Sequence, residues 1–317
     1  MEVNVSESQS RSQSVAAEFR DARVLVTGGR GFIGQALSRR LVDAGATVVT
    51  AGRSPGHGDE AGEALVCDLV DPAATQALIA KVQPDVVFHL ASHVLGTRTS
   101  EVVLSTFHNN TTSTVNVLLS ALAQQCGRVV LTGSLEEPEP DGDWPVPSSP
   151  YAAAKLAAGS YGRMFAALYE MQVVSLRVYM TYGPGVQDEK KLVPYVIKSL
   201  LAGESPQLGE GSRLVDWVYV EDVVDAYLRA ARAPDVSGLS IDAGTGVLTS
   251  VRDVVLLIYQ LMEMTEEPIM GGLQPRQLEQ ERRADVAASL ARTGWKPAHS
   301  LEQGLKATIE YFRHQSA

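Results

Sequence analysis

Tyr151 and Lys155 are four residues apart in an alanine-rich stretch, residues 150–170, that predicts a helix. The spacing places both side chains on one face of that helix. A nearby ammonium stabilises a phenolate, so we expect Lys155 to lower the Tyr151 pKa from its ordinary value of about 10. Tyr151 could then exchange a proton with a substrate oxygen, and Ser134, which ends the preceding predicted strand, could hydrogen-bond that oxygen. The alternative interpretation is a solvated pair on a helix surface.

A glycine-rich turn lies near the start of the chain, in Val24-Leu-Val-Thr-Gly-Gly-Arg-Gly-Phe-Ile-Gly34. The run reads as a strand, a tight turn and the start of a helix. Gly28 suits the sharp turn, Gly31 suits close approach of a pyrophosphate, and Gly34 suits close packing of helix and strand. The helix N-terminus would offer free N–H groups and a positive dipole end. The sequence therefore predicts a dinucleotide site, the alternative being an ordinary glycine-rich turn.

The end of the second predicted strand carries no acid. Proteins that prefer NAD usually have an Asp or Glu there for the ribose 2′-hydroxyl, whereas this chain has Ala51-Gly-Arg53. Arg53 would suit a 2′-phosphate, and Arg30 in the glycine loop could reach the same phosphate. We therefore expect NADP(H) to be preferred, with NAD(H) possible. The alternative is that Arg53 is a solvated loop charge.

Strands and helices alternate through residue 179, which predicts an α/β fold with a doubly wound parallel sheet of the Rossmann type. We assign residues 1–20 to a disordered tail and residues 21–180 to the dinucleotide-binding domain. Residues 181–317 would form a smaller, mainly substrate-binding C-terminal lobe, with about 216–245 returning to the first domain.

Composition excludes several classes of function. The 317 residues carry a net charge of −10 without a basic stripe, so nucleic acid is not an expected partner. The two cysteines lie far apart, which fits a reducing cytoplasm. Apolar runs are too short to span a membrane. His89 and His93 lack a third ligand at suitable spacing, so no metal site is expected.

Together these features resemble the extended short-chain dehydrogenase/reductase family, in its nucleotide-sugar epimerase/dehydratase/reductase branch. The resemblance covers about residues 22–313 and implies a Rossmann domain, a bound nicotinamide dinucleotide, a Ser/Tyr/Lys triad, a nucleoside-diphosphate sugar and usually a homodimer. The motifs that carry it are Thr27-Gly-Gly-Arg-Gly-Phe-Ile-Gly34, His89-Leu-Ala91, Asn110 to Asn116, Ser134, Tyr151-xxx-Lys155, Arg177-Val-Tyr179, Tyr182-Gly-Pro184, Asp216-Trp-Val-Tyr-Val-Glu-Asp222, and the tail from Ala284 to Leu305.

The resemblance also implies a set of binding residues. The cofactor residues would be Gly28, Arg30, Gly31, Phe32, Ile33, Gly34, Arg53, Asp68, Leu69, Leu90, Ala91, Ser92, Asn110, Tyr151 and Lys155. The substrate residues would be Met180, Leu192, Val193, Arg213 and Arg276. Two positions depart from the family pattern, one of them among these residues. Many relatives have an asparagine at Met180 and an arginine for the diphosphate at Val215, a role that Arg213 or Arg276 could take here.

The catalytic serine region also departs from the family pattern. Dehydratases and decarboxylases of this branch usually have Thr-Ser/Asp-Glu where this chain has Ser134-Leu135-Glu136. Leu135 removes the acid that a 4,6-dehydratase would use. Glu136 could be an additional acid/base or simply a solvated loop acid.

The arginine pair decides the preferred hypothesis, because NADP(H) usually serves net reduction. We predict an NADPH-dependent ketoreductase of a nucleoside-diphosphate 4-keto-6-deoxysugar. The alternative is a 4-epimerase, decarboxylase or dehydratase that recycles its cofactor internally. A non-catalytic dinucleotide-binding protein is a minor alternative, since such relatives typically lose the tyrosine or the lysine.

Overall fold

The computed structural model describes residues 15–55, 61–94, 96–139, 146–271 and 281–316. Its strands are β1 (Arg23–Thr27), β2 (Thr47–Gly52), β3 (Glu63–Val66), β4 (Val86–His89), β5 (Arg128–Ser134), β6 (Val173–Val178), β7 (Met180–Tyr182), β8 (Leu214–Tyr219), β9 (Ser240–Ala243) and β10 (Leu248–Ser250). Its helices are α1 (Phe32–Asp43), α2 (Pro72–Val82), α3 (Val103–Thr106), α4 (Ser113–Ala123), α5 (Pro150–Tyr169), α6 (Leu192–Leu201), α7 (Val220–Arg232), α8 (Val251–Leu261), α9 (Val286–Thr293) and α10 (Leu301–Ser316). A 3-10 turn (Ser100–Val102) and a π-helical segment (Phe107–Thr112) flank α3.

Within the described ranges, seven strands form one parallel sheet in the order β3-β2-β1-β4-β5-β6-β9. The apolar run of β1 is fully buried, as expected where helices cover both faces of a parallel sheet. One face packs against α1 and α7, and the other packs against α2 and α4. This arrangement confirms the predicted doubly wound Rossmann sheet.

The strand order reverses at β1, which pairs with β2 on one side and with β4 on the other. Thr27, the last residue of β1, is in register with Ala51 of β2 and with His89 of β4. The segments that leave β1 and β4, from Gly28 and from Leu90, line a cleft at the carboxyl edge of the sheet. A crevice therefore opens at this edge, where doubly wound folds bind their ligands.

A second sheet of three described strands has the order β10-β8-β7. Its core is completed by apolar side chains of α6, α8 and α10. The segment after β8 crosses back to the main sheet, where α7 packs into the core and β9 pairs with β6. The chain after residue 180 thus contributes to both cores.

The disordered tail predicted over residues 1–20 is wrong for residues 15–20. Ala16 is 5% exposed and Phe19 is fully buried, with its ring centroid 6.1 Å from that of Phe88. The Arg232 guanidinium lies 4.1 Å from the Phe19 ring centroid on the other side. The serine-rich composition favours disorder, but burial of the single aromatic side chain of Phe19 is enough to order residues 15–20. Residues 1–14 lie outside the described ranges.

Candidate active site

The glycine loop between β1 and α1 has the geometry of a phosphate cradle. Gly28 has φ +69°, and a Cβ there would lie 2.7 Å from the Ala91 backbone nitrogen. A Cβ on Gly34 would overlap the Gly28 carbonyl oxygen. By contrast, a Cβ on Gly31 would approach that same oxygen at 3.3 Å, with its other side open. The loop is therefore closely packed at Gly28 and Gly34 but open at Gly31. This open side lies next to the N–H groups at the start of α1, which suits the binding of a pyrophosphate.

A cleft of about 650 Å³ runs from this loop across the carboxyl edge of the sheet. Most of the sequence-predicted site residues line it. They are Gly28, Gly31, Phe32, Ile33, Gly34, Arg53, Asp68, Leu69, Leu90, Ala91, Ser92, Ser134, Glu136, Tyr151, Lys155, Met180 and Arg213. Their convergence from distant parts of the chain follows from the parallel sheet, which brings the ends of β1, β2, β4 and β5 to one edge.

Asn110 does not line the cleft directly. It is 2% exposed, and its Oδ1 accepts hydrogen bonds from Ser92 Oγ at 3.1 Å and from the His93 backbone nitrogen at 2.6 Å. Its Nδ2 donates to the His93 carbonyl at 3.2 Å. Asn110 thus holds the loop that follows β4, a role that the sequence did not predict, and its direct contact with the cofactor stays a prediction.

Two predicted substrate residues lie away from the cleft. Val193 is 2% exposed in the core of the second sheet, and Leu192 packs against that core. The physical reason is the amphipathic pattern of α6, which turns its apolar side inwards and leaves the preceding Lys191 at the cleft. The predicted substrate residue Arg276 lies outside the described ranges.

The strand end of β5 and the first turn of α5 bring the candidate triad together. Ser134 ends β5, and α5 begins beyond Ser149, whose side chain accepts a hydrogen bond from the Ala152 backbone nitrogen at 3.1 Å. The Lys155 Nζ donates to the Thr132 carbonyl at 2.8 Å and lies 5.7 Å from the Tyr151 ring centroid. Ser134 and Tyr151 line the same cleft, and hydrogen bonding with the Ser134 side chain lowers the pKa of the Tyr151 hydroxyl against the effect of burial.

Protonation in the triad differs from the prediction. Burial raises the pKa of Tyr151 to about 12, against the lowering effect of its hydrogen bonds with Ser134 and Ser92. The expected lowering by Lys155 is therefore wrong, because desolvation of a phenolate outweighs it here. Burial also lowers the pKa of Lys155 to about 8, against the raising effect of Glu137. Near pH 7 the site thus holds a neutral phenol beside a mostly charged ammonium.

Glu136 and Arg213 form an ion pair across the cleft. The Arg213 Nη2 donates to Glu136 Oε1 at 3.2 Å, and the side chains are 20% and 24% exposed, respectively. Ser148 Oγ donates to the other carboxylate oxygen at 3.5 Å. Glu136 follows β5 of the main sheet, whereas Arg213 precedes β8 of the second sheet. Of the two interpretations left open for Glu136, the solvated loop acid is wrong, since its partner holds it in the cleft.

Glu137, the neighbouring acid, was not predicted from the sequence. It is 6% exposed, and its Oε1 accepts a hydrogen bond from the Ser134 backbone nitrogen at 2.7 Å. Two neighbouring side chains that follow a strand point in different directions. Because Glu136 lies in the cleft, Glu137 is expected to point away from it. This adjacency in the sequence is the signal that could have found Glu137.

The two arginines predicted to favour a 2′-phosphate both lie beside the end of β2. Arg53 lines the cleft, and its Nη1 donates to Asn109 Oδ1 at 3.2 Å. The Arg30 guanidinium donates to the Ser54 carbonyl and lies beside Gly52. Arg30 is therefore positioned behind the strand end rather than along the cleft lining.

His89 has a structural role. Its Nδ1 hydrogen-bonds with Thr27 Oγ1 at 2.8 Å and its Nε2 with Thr114 Oγ1 at 3.1 Å. Burial, with the charge of Lys155, lowers the pKa of His89 to about 3, so the ring is neutral. Among the described residues, no group of three or more His, Cys, Asp or Glu side chains is arranged to hold a metal ion. None of the described helices combines the length and apolar character needed to cross a membrane.

Comparison with known proteins agrees with this geometry. The model of the NAD dependent epimerase/dehydratase family matches residues 24–243. The chain is 35% identical to UDP-glucose 4-epimerase of Mycolicibacterium smegmatis, over 93% of this chain and 99% of that protein. It is also similar to the structure of UDP-glucose 4-epimerase with UDP-glucose from Thermotoga maritima, with a TM-score of 0.81, 26% identity and coverage of 93% and 99%.

A further similar structure is that of the UDP-glucose 4-epimerase of Thermus thermophilus in complex with NAD. Its TM-score is 0.77 at 25% identity, with 92% of this chain and 99% of that chain covered. These findings confirm the resemblance to the nucleotide-sugar branch of the extended short-chain dehydrogenases/reductases.

Proposed function

The chain belongs to the NAD dependent epimerase/dehydratase family, and from this premise we propose that it is a nucleotide-sugar 4-epimerase that retains and recycles its nicotinamide dinucleotide. The observation that carries the proposal is the convergence of Ser134, Tyr151 and Lys155 on the cleft that begins at the glycine loop. The 35% identity to a UDP-glucose 4-epimerase over nearly the whole chain supports this reaction over the ketoreductase predicted first.

Tyr151, Ser134 and Lys155 have separate roles in the proposed reaction. A bound nicotinamide dinucleotide supplies the acceptor and donor of the hydride at C4 of the sugar. In its phenolate form Tyr151 would accept the proton of the C4 hydroxyl as hydride leaves C4, and the resulting phenol would return that proton when hydride comes back to C4, so the sugar has no net change in oxidation state. Ser134 orients that oxygen through its hydroxyl. The Lys155 ammonium stabilises negative charge on the Tyr151 oxygen, which its burial otherwise disfavours.

Leu135 argues against a 4,6-dehydratase. That reaction needs an additional acid at this position, by resemblance to the family, and Leu135 is apolar and 6% exposed. Glu136 is paired with Arg213, so it is not free to act as an independent acid. The proposed substrate lies with its sugar at Ser134 and Tyr151 and its diphosphate towards Arg213, beside Met180.

The ketoreductase remains a second candidate, because Arg30 and Arg53 favour a 2′-phosphate. The segment Ala51-Gly-Arg-Ser-Pro55 contains no acid that would repel it. An enzyme of this kind exchanges its cofactor at every turnover, whereas the proposed 4-epimerase keeps it. A preference for NADP(H) would favour the ketoreductase without excluding the 4-epimerase.

Mass spectrometry of dinucleotide released from the purified, denatured protein separates the two candidates. The 4-epimerase proposal predicts a dinucleotide present at close to one per chain after gel filtration. A site that purifies empty, and that binds NADPH reversibly with turnover of a 4-keto sugar nucleotide, would instead support the ketoreductase.

Substitution of Tyr151 tests the assigned mechanism. We expect Tyr151→Phe to lower kcat by about 10²- to 10⁴-fold, because proton exchange with the substrate oxygen is lost. Dinucleotide content should be unchanged, since the ring remains. Tyr311→Phe is the matched control, because Tyr311 lies on α10 and its hydroxyl accepts a hydrogen bond from Gln315 Nε2 at an exposed site. An unchanged rate in Tyr151→Phe would remove the basis of the mechanism.

We also propose that the protein is a homodimer. Supporting this, neighbouring helices leave large apolar side chains exposed, namely Val103, Leu104 and Phe107 around α3 and Tyr161, Leu168 and Tyr169 on α5. Light scattering should give twice the 34.0 kDa chain mass. The double substitution Leu104→Glu with Leu168→Glu should give a folded monomer, whereas Leu290→Glu, on α9, should not. A wild-type monomer at micromolar concentration would contradict the proposal.

A further inference from the structure

Glu137 occupies a buried position directly behind the candidate triad. Its Oε1 accepts the Ser134 backbone N–H at 2.7 Å, so its carboxylate is fixed to the last residue of β5. A Cβ on Gly133 would lie 2.6 Å from Oε1, and a Cβ on Gly159 of α5 would lie 3.8 Å from Oε2. The carboxylate therefore fills the space between the end of β5 and the helix that carries Tyr151 and Lys155.

Two arginines lie near Glu137, and one of them binds its backbone. The Arg282 Nη1 donates to the Glu137 carbonyl at 3.0 Å, and its Nη2 lies 2.6 Å from Glu139 Oε1. Arg177 of β6 pairs with Asp242 at 2.6 Å. The positive charges of Arg177, Lys155 and Arg282 all oppose the rise in the Glu137 pKa that its burial causes. Arg177 and Arg282 each have an acidic partner of their own, whereas no ion pair of Lys155 with an acid is recorded among the described residues.

Few groups near Lys155 can compensate the buried positive charge of its ammonium. It is 5% exposed, and its Nζ donates to the Thr132 carbonyl. A buried ammonium is unfavourable unless opposite charge lies nearby. The groups around it are neutral His89 on β4, neutral Tyr151 on its own helix, and the acids Glu136 and Glu137 after β5. Glu136 is paired with Arg213. Glu137 Oε2 would lie 3.8 Å from a Cβ on Gly159, one helical turn after Lys155 on α5, and its charge raises the Lys155 pKa.

We propose that Glu137 is a positioning residue, which holds Ser134 at the end of β5 and keeps Lys155 in its ammonium form by balancing its buried charge. The proposal rests on the function assigned above to Ser134, Tyr151 and Lys155. It adds a fourth residue, one that need not contact substrate or cofactor. Because Tyr151 needs positive charge beside it to release its proton, loss of the Lys155 charge would limit the reaction at high pH.

The variant Glu137→Gln tests the negative charge of Glu137 separately from its hydrogen bond with the Ser134 N–H. The amide oxygen of glutamine can still accept the Ser134 N–H, so the end of β5 is retained while the negative charge is removed. Glu139→Gln is the matched control, because Glu139 is an acid of the same loop with a side chain that is 61% exposed. Glu137→Asp keeps the charge but withdraws it by one methylene, and an intermediate effect is expected.

The direct readout is the titration of Lys155 in the purified holoenzyme. The protein is labelled with ¹³C at lysine Cε, and the Lys155 resonance is assigned with Lys155→Arg. We expect the Lys155 pKa to fall by about one pH unit or more in Glu137→Gln, by less in Glu137→Asp, and not at all in Glu139→Gln. An unchanged Lys155 titration in folded Glu137→Gln overturns the proposal. If Glu137→Gln does not fold, an unchanged titration in Glu137→Asp overturns it equally.

The kinetic readout is the pH profile of kcat. In Glu137→Gln the alkaline limb should move to lower pH by the same amount as the Lys155 titration, with little change in KM. A uniform loss of kcat at all pH values, without movement of the limb, would show a merely structural role. The NMR titration needs no substrate, so a shifted Lys155 titration in a protein without 4-epimerase activity would refute the proposed function and leave the role of Glu137 intact.

Discussion

At the residue scale, spacing identifies Tyr151 and Lys155 but does not determine their protonation. The i, i+4 relation places them on one face of α5, as the sequence predicts. The pKa of each side chain depends on burial beneath the β4 loop and on Glu137, which come from other parts of the chain. The sequence spacing therefore identifies the two residues, whereas their pKa values can be inferred only from the tertiary structure.

Arg53 allows a direct test of cofactor choice. We expect Arg53→Ala to weaken NADPH binding by about 10- to 100-fold, the contribution of a charge-assisted hydrogen bond, with little effect on NADH. The measurement is titration of apoprotein with each dinucleotide by calorimetry. Arg39→Ala serves as the control, because Arg39 is exposed on α1. Equal affinity of the wild type for NADPH and NADH would refute the role assigned to Arg53.

At the element scale, the glycine loop was predicted in full because its signal is local. Three glycines at fixed spacing after an apolar strand define the turn. The contribution of α6 could not be predicted in the same way. Resemblance assigned Leu192 and Val193 to the substrate, but the orientation of α6 depends on the core of the second sheet. The role of Asn110 was missed for the same reason, as its partners follow a different strand.

The glycine loop predicts different effects for two alanine substitutions. Gly34→Ala should lower the free energy of unfolding by about 1–3 kcal/mol, because its Cβ would overlap the Gly28 carbonyl oxygen. Gly31→Ala should lower it less and should mainly reduce retained dinucleotide, because its Cβ extends towards the open side of the loop. Urea unfolding of dinucleotide-free protein and the dinucleotide content of purified protein distinguish the two effects. Equal stability of both variants would contradict the packing assigned to Gly34.

At the scale of the whole molecule, the segment that precedes α10, at residues 298–299, is hydrogen-bonded to the first turn of α7. Asp222 is 3% exposed and accepts hydrogen bonds from the backbone nitrogens of Ala298 and His299, each at 3.1 Å. The His299 Nδ1 lies 2.8 Å from Asp222 Oδ1, and its ring centroid lies 4.8 Å from that of Tyr219. The contact joins α7, which packs on the main sheet, to β8 of the second sheet and the start of α10.

This connection makes stability depend on pH. The hydrogen bond with Asp222 raises the pKa of His299 above its ordinary value of 6.5. Because the folded pKa is the higher one, the stabilisation is complete below about pH 6.5 and is lost as pH rises through the folded pKa. In urea unfolding from pH 6 to 9, the decline in free energy of unfolding should be smaller in His299→Gln than in the wild type. Parallel profiles would show that the pair does not contribute.

In the proposed 4-epimerase reaction, C4 of a sugar is oxidised and reduced again in a cleft lined by residues next to strands of both sheets. The most direct measurement incubates the purified protein, without added dinucleotide, with UDP- and dTDP-hexoses and follows the sugar by NMR. We expect at least one hexose to convert to its 4-epimer, reaching the same equilibrium ratio from either direction. Absence of conversion for every hexose, with NADPH consumed in proportion to a 4-keto sugar nucleotide supplied separately, would contradict it.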